Sequence, residues 1–331
     1  MTDSFRALVA TQAGDRQEIG FTTWTDADLP AGDVTVAVEY SSFNYKDGLA
    51  LAGKNRILRK FPIVPGIDFA GRVLASDNSA YAPGDRVILT GWGVGEGWSG
   101  GFAERARVKG EWLVKLPSGM SSRHAMAIGT AGLTAMLCVM ALEAHGLPDK
   151  AKILVTGASG GVGSVAVKLL ADKGHQVSAL TGRREEEPFL RALGAVEVID
   201  RAEYASPGKP LAGERWNAAV DTVGSTILAN VLAAMAYRGA VAACGLAGGM
   251  DLPTTVFPFI LRNVALLGVD SVQCPKAIRE EAWTRLAADL TEADLAEVTG
   301  EVPLDEVTGL ADRILKGQVR GRQVVRVLGA G

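Results

Sequence analysis

Between Lys152 and Ser271, short apolar runs alternate with longer stretches whose apolar residues recur at helical spacing. KILVTG, HQVSALTG, VEVID, WNAAVDTVG, GAVAACG and ALLGVDS read as buried strands. Val162–Lys173, Glu185–Leu193 and Thr226–Ala236 read as the helices between them. Such alternation predicts parallel strands with crossover helices on both faces. The first 120 or so residues have another texture: DVTVAVEY, GIDFAGRVLA, GDRVILTGW and FAERARVKGEWLVKLP are β-rich and closely spaced. Turn chemistry such as Pro83-Gly84-Asp85 separates them, and the pattern predicts a compact, barrel-like β domain. Glu280–Leu290 and Leu304–Leu315 read as further helices, and the strand-like GRQVVRVLG near the C-terminus returns to the first domain. Two domains are therefore expected, residues 1–122 with 300–331, and residues 123–299.

The uncharged run Ala125–Leu142 approaches the roughly 18 residues of a membrane span. Its Ala, Gly and Thr content, with an acid and a histidine just beyond, fits a buried packing helix better. The 331 residues are 48% apolar and 21% charged, an ordinary globular balance. A net charge of −3 argues against a general nucleic-acid binder. The stretch MTDSFRALVATQAGD lacks the basic start and apolar centre of a secretory signal, so a cytoplasmic protein is expected. Cys138, Cys244 and Cys274 are scattered, as are His124, His145 and His175. Neither a disulfide framework nor a His/Cys metal cage is expected from such spacing.

VTGASGGVGSVAVKLL, Val155–Leu170, sits at the first strand-to-helix turn of the alternating region. A dinucleotide pyrophosphate meets a helix N-terminus at that position. Gly160 and Gly163 take the second and third places of a GxGxxG pattern, with Ala158 in the first. Ser159, Gly160, Gly161 and Val162 are accordingly expected to contact the coenzyme. The next strand ends in Thr181-Gly182-Arg183-Arg184, with no acid to bind ribose hydroxyls. Hydroxyl and guanidinium donors suit a 2′-phosphate, so NADPH is the expected cofactor, bound by Thr181, Gly182 and Arg183. The plain alternative is that Arg183 and Arg184 start a solvated helix.

Beyond that turn, GTAGLTAM, PGIDFAG, SSFNYKDGLA, LTGWGVGE, VDTVG, ACGLAGG, LPTTVFPFILRN and VDSV resemble the zinc-free medium-chain dehydrogenase/reductases. Within that family the likeness is to the acrylyl-CoA reductase branch of the quinone oxidoreductase-like proteins, over nearly the whole chain. The resemblance implies an α/β architecture, a GroES-like β-barrel domain plus a Rossmann doubly wound parallel-sheet domain. It further implies an active site in the cleft between domains and a homodimer joined through Rossmann sheet edges, here at ALLGVDSV. It adds Thr130, Arg201, Leu246, Ile260 and Ser271 as coenzyme contacts. Where zinc relatives carry a Cys and a His-Glu pair, this chain reads FNYKD and PGIDFAG, with Asp47 and Asp68.

Without a metal to polarise an oxygen, the tractable reaction is hydride addition to a carbonyl-activated alkene, followed by protonation of the enolate. The expected catalytic set is Asn44, Tyr45 and Asp47 from one loop, Asp68, and Arg322 as the cation compensating both acids. Tyr45 or a bound water is left as the proton donor, and a buried structural tyrosine is the competing reading. A CoA ester carries several phosphate charges, and AGKNRILRKFP offers Arg56 and Arg59, with Lys54 and Lys60, to meet them. The leading expectation is NADPH-dependent reduction of acryloyl-CoA to propanoyl-CoA. A quinone or enone oxidoreductase, with Trp92 and Trp98 walling an apolar slot, and a non-catalytic NADPH sensor remain open.

Overall fold

The computed structural model describes residues 4–14 and 16–328. In chain order the first strands are β1 (Ser4–Ala13), β2 (Arg16–Thr25) and β3 (Val34–Phe43), followed by α1 (Tyr45–Leu51). Next come β4 (Asp68–Ser76), β5 (Arg86–Thr90), β6 (Arg105–Val108) and β7 (Val114–Lys115), then the long α2 (Ser122–His145). The alternating region holds β8 (Lys152–Thr156), α3 (Gly161–Asp172), β9 (Gln176–Thr181), α4 (Glu187–Ala192), β10 (Glu197–Asp200) and β11 (Trp216–Asp221). It continues through α5 (Ser225–Ala233), β12 (Met235–Ala243), α6 (Phe257–Arg262) and β13 (Ala265–Gly268). The chain closes with α7 (Lys276–Asp289), β14 (Thr299–Pro303), α8 (Leu310–Leu315) and β15 (Arg322–Arg326). Gly329, the last residue of the strand-like GRQVVRVLG, lies outside the described residues.

The chain forms two compact units, one built from residues up to Thr130 together with Ser271 onward, the other from Ala131–Asp270. These limits differ from the sequence-based 122 and 299. Segment 271–289 belongs with the first unit because the Arg279 guanidinium, 1% exposed, donates to the carbonyls of Thr90, Ser271 and Val272.

In the first unit, β14-β15-β3-β4-β5-β7 form one sheet, β6 also pairs with β3, and β1-β2 form a separate hairpin. Alternation along β3 sends Val34, Val36 and Val38 inward against Phe69, Val87, Leu89 and Leu113. Strand β15 runs antiparallel to β3, setting Gln323 opposite Phe43, which carries its neighbour Arg322 to the start of α1.

The second unit is a six-stranded sheet ordered β10-β9-β8-β11-β12-β13, with every neighbouring pair parallel. Counted within the unit this is 3-2-1-4-5-6, with the order reversing between β8 and β11. Both faces are covered, so β8 reads as a continuous buried run rather than an alternation. Leu154, Leu180, Ile199, Ala219 and Val241, one from each of five strands, pack with Val231 and Leu232 of α5.

The structure departs from the sequence pattern in three ways. The helix expected over Thr226–Ala236 stops at Ala233, because β12 already begins at Met235. The N-terminal hairpin and β14 had no assignment. Finally, the apolar run in α2 is not one straight packing helix: Gly129, at φ 52° and ψ −162°, breaks it. α2 is long and apolar enough to cross a membrane, yet 83% of its most apolar window is buried in the fold.

Candidate functional site

The break at Gly129 organises the polar centre of the first unit. An ordinary helix would pair the amide of Thr130 with the carbonyl of Met126. Instead the Thr130 amide donates to Asp68 Oδ2 at 2.7 Å, and the Thr130 hydroxyl donates to Asp68 Oδ1. The released carbonyls are taken by Arg322, whose Nε donates to Ala127 O at 2.9 Å and whose Nη2 donates to Met126 O at 3.4 Å. Only glycine fits at the break. A Cβ there would stand 2.5 Å from Arg322 Nη2 and 2.8 Å from Asp68 Oδ2.

Asn44 connects the parts. Its Nδ2 faces Asp68 Oδ2 at 3.0 Å, Ser42 Oγ at 3.1 Å and Asp47 Oδ2 at 3.2 Å, while its Oδ1 accepts from Arg322 Nη1 at 3.1 Å. Ser42 Oγ also donates to Asp68 Oδ2 at 2.6 Å. Asp47, three residues into α1, reaches back to accept from the Asn44 amide at 2.8 Å and takes the Ile67 amide at 3.0 Å. Asp47 and Asp68 are fully buried and Arg322 is 2% exposed. Burial, then the charge of Asp68, pushes the Asp47 carboxyl up to about 7. Burial pulls Arg322 below the ordinary arginine value, against the opposing pull of Asp68 and Asp47.

The structure therefore brings Asn44, Asp47, Asp68 and Arg322 together and adds Ser42, Thr130 and Gly129. It corrects one detail. Arg322 does not clamp the two carboxylates; its donors go to Asn44 and to the helix carbonyls freed at Gly129. Tyr45, the first residue of α1, stands apart from the network and is 45% exposed, so the buried-tyrosine reading fails. Arg56 and Arg59 are exposed on the following loop. Trp98 is committed elsewhere, stacked edge-on against Trp112 with its indole donating to Arg107 O at 2.8 Å.

In the second unit, Gly160 caps α3 and the chain turns so tightly that a Cβ on Gly163 would meet Gly157 O at 2.4 Å. Ala158, where the pattern prefers glycine, is buried in the turn that follows β8. Gly161 and Val162 open the helix. Beside this turn, Ser159 Oγ and Thr181 Oγ1 lie 2.9 Å apart. Arg183 arches back, with Nη2 2.8 Å from Ser159 Oγ and 2.9 Å from Ser159 O. The Arg201 guanidinium lies over Gly182, where a Cβ would come within 2.8 Å of it. Two hydroxyls and two guanidiniums thus gather at the end of β9, a donor set suited to a phosphate monoester, and no carboxylate ends that strand. Sequence reasoning missed the lock behind the turn. Thr156 Oγ1 donates to the buried Asp221 at 2.7 Å, Asp221 accepts the Gly224 amide at 2.8 Å, and Thr222 bonds back to Thr156, tying β8 to β11 where the strand order reverses. Leu246 and Ile260 are exposed on segments after β12, and Ser271 and Thr130 fall in the first unit.

The class defined by this sheet order and turn is the doubly wound dinucleotide-binding protein. Residues 30–118 match the alcohol dehydrogenase GroES-like domain, and residues 161–288 match the zinc-binding dehydrogenase family. The chain is 53% identical to the probable acrylyl-CoA reductase AcuI of Escherichia coli (strain K12), covering 97% of this chain and 99% of that one. It is 54% identical to the acrylyl-CoA reductase AcuI of Ruegeria pomeroyi, covering 91% and 92%. Its fold superimposes, with a TM-score of 0.96, on the yhdH oxidoreductase from Salmonella enterica solved in complex with NADP, at 54% identity over 98% of this chain and all of that one. The chain belongs to the medium-chain dehydrogenase/reductase family, and its architecture is the GroES-like domain with a Rossmann domain. A catalytic zinc does not fit the residues present. Among the described residues no three His, Cys, Asp or Glu side chains cluster, and the Asp47 and Asp68 oxygens are occupied by amide and hydroxyl donors.

Proposed function

We propose that this chain is an NADPH-dependent reductase of the activated C=C bond of acryloyl-CoA, yielding propanoyl-CoA without a metal. The observation that carries the reading is the identity above 50%, over nearly full length, to two acrylyl-CoA reductases. The hydroxyl–arginine cradle at the end of β9 supports the phosphorylated coenzyme. When bound, NADPH supplies the hydride that the β-carbon of the substrate accepts.

The remaining steps fall to the protein's own groups. In the second unit, Ser159, Thr181, Arg183 and Arg201 hold the 2′-phosphate, and the α3 N-terminus from Gly160 to Val162 holds the pyrophosphate. In the first unit, the Asn44 side chain is fully engaged, so Asn44, Asp47, Asp68 and Arg322 serve to fix the start of α1. The exposed Tyr45 hydroxyl, carried on that fixed turn, protonates the α-carbon of the enolate. Exposed Arg56 and Arg59 meet the CoA phosphates. The protein works in the cytoplasm as a homodimer. Support for the dimer is the open edge of β13 beside exposed Val256, Phe257, Ile260 and Leu261.

Following NADPH absorbance with acryloyl-CoA, crotonyl-CoA and a benzoquinone side by side tests the reading. Turnover of acryloyl-CoA at the highest kcat/KM is expected. Turnover of the quinone alone overturns it in favour of a quinone oxidoreductase, and turnover of none overturns it in favour of a sensor.

A further inference from the structure

From Lys46 to Lys60 the chain carries five cations, Lys46, Lys54, Arg56, Arg59 and Lys60, and one acid, Asp47, which is buried out of their reach. A loop so charged would ordinarily be mobile and self-repelling. Here it is anchored by a residue distant in sequence. Glu96 is held in the glycine-rich segment 91–98, its carboxylate only 8% exposed. Lys46 Nζ meets Glu96 Oε1 at 2.8 Å, and Arg59 Nη2 lies 3.5 Å from Glu96 Oε2. The backbone joins in, with the Arg59 amide donating to Glu96 O at 2.8 Å.

The turn under Glu96 is rigid. The amides of Glu96 and Gly97 both donate to Gly93 O, and Gly95 packs so closely on Gly66 that a Cβ would come within 2.7 Å of its carbonyl carbon. The two cations differ in what they retain. The Lys46 side chain is 32% exposed and tightly paired, whereas Arg59 is 71% exposed and loosely paired, leaving most of its donors facing solvent.

Resting on the acryloyl-CoA reading above, we propose that Glu96 is a positioning residue for substrate specificity. It fixes Lys46 and Arg59 as a paired receptor for the phosphate groups of the CoA moiety. Coenzyme A carries about four negative charges near neutral pH, from its pyrophosphate and 3′-phosphate. A buried carboxylate that orders two cations lowers the cost of arranging them when the anion arrives. Its own charge is confined to the inner side of the pair, so the outer donors of Arg59 remain for phosphate. The thioester and its alkene have no use for this cluster. Its contribution falls on the CoA end alone.

The experiment compares KM and kcat for acryloyl-CoA with those for acryloyl-pantetheine, which lacks the nucleotide phosphates, in Glu96→Gln, Arg59→Ala and their double variant. Glu96→Gln is expected to raise KM for acryloyl-CoA about fivefold or more, roughly 1 kcal/mol of binding. Its kcat and its KM for acryloyl-pantetheine should change less than twofold. The double variant should be worse than Arg59→Ala by less than Glu96→Gln is worse than wild type, because part of the Glu96 effect runs through Arg59 and the rest through Lys46. Lys46→Met provides a second route should Glu96→Gln fold poorly, with the same selective rise in KM. Calorimetric titration with free coenzyme A should rank the variants in the same order. Equal increases in KM for both thioesters, or a fall in kcat alone, would mean that Glu96 serves only the fold and would overturn the inference. If Arg59→Ala raises KM for acryloyl-CoA but neither Glu96→Gln nor Lys46→Met does, the inference fails while the basic loop stands. A wild-type enzyme that treats the two thioesters alike overturns the inference and the phosphate contact of the basic loop, whereas absence of acryloyl-CoA turnover removes the underlying reading.

Discussion

Arg322 and Arg183 both donate to backbone carbonyl oxygens and to a neighbouring polar side chain, yet their surroundings separate them. Arg322 is 2% exposed, and its donors end on Asn44 and on two carbonyls opened by the kink at Gly129. Arg183 has a side chain 22% exposed and folds over the Ser159 turn, with the Glu186 carboxylate 4.0 Å away. A fully committed buried cation holds chain segments together, because removing it strands charge in a low-dielectric interior. A partly exposed cation bonded to a hydroxyl and a carbonyl exchanges those partners for an anion at little cost. Under the proposed function, that difference makes the first assembly a structural support and the second the place of coenzyme recognition.

Replacing Arg322 with Met should show the largest effect. It leaves Asp47 and Asp68 buried without their cation and the Met126 and Ala127 carbonyls without donors, at a cost of about 3–5 kcal/mol. Urea unfolding should register that loss through a lower midpoint at unchanged slope. A loss under about 1 kcal/mol would put Arg322 in the same category as an exposed ion pair and erase the contrast.

Next in size is Tyr45→Phe, which leaves the buried network intact and removes the exposed hydroxyl it carries. Loss of a general acid should lower kcat about 100-fold, with KM and melting temperature nearly unchanged. An unaffected kcat would pass proton delivery to water.

Arg183→Ala probes the recognition side. Stability should hardly change, while KM for NADPH should rise about 10- to 100-fold, the worth of a hydrogen bond to a charged group, and KM for NADH should stay level. Equal changes for both coenzymes would make Arg183 a plain helix-start residue.

The second unit was legible in the sequence because its signals are local. Each apolar run is a strand buried on both faces, and the turn Gly157–Gly163 needs only its own glycines and one adjacent strand. Thr181-Gly182-Arg183 lies beside that turn by parallel pairing alone, since β8 and β9 are consecutive. The first unit hid more. Asn44 and Arg322 are 278 residues apart, and no periodicity links them. Gly129 looked like one small residue in an apolar helix; its role appears only once Arg322 and Asp68 press against it. The Lys46–Glu96 pair is silent in sequence for the same reason: charge patterning reads neighbours within a few residues, and these are 50 apart.

The smallest expected effect sharpens the contrast from within the buried assembly. Asp47 has its carboxyl raised by burial and by Asp68 to about 7, above the ordinary 3.8. The folded chain therefore binds a proton that the unfolded chain has released, and stability falls as pH rises through that window. Between pH 6 and 8 the loss from this group is about 1 kcal/mol, one pKa unit being worth about 1.4. His124 and His175, both pulled below their ordinary value by burial, act in the opposite direction, since the unfolded chain keeps their protons to higher pH. Wild type alone would blur the two contributions. Subtracting the stability–pH curve of Asp47→Asn cancels the histidines, because both chains share them, and leaves the carboxyl. The difference should decline from pH 6 to 8 and flatten above it. A flat difference throughout would mean that Asp47 is already ionised at pH 6. The network would then hold both carboxylates charged near Arg322 rather than Asp47 protonated, and the two arginines would differ in burial alone.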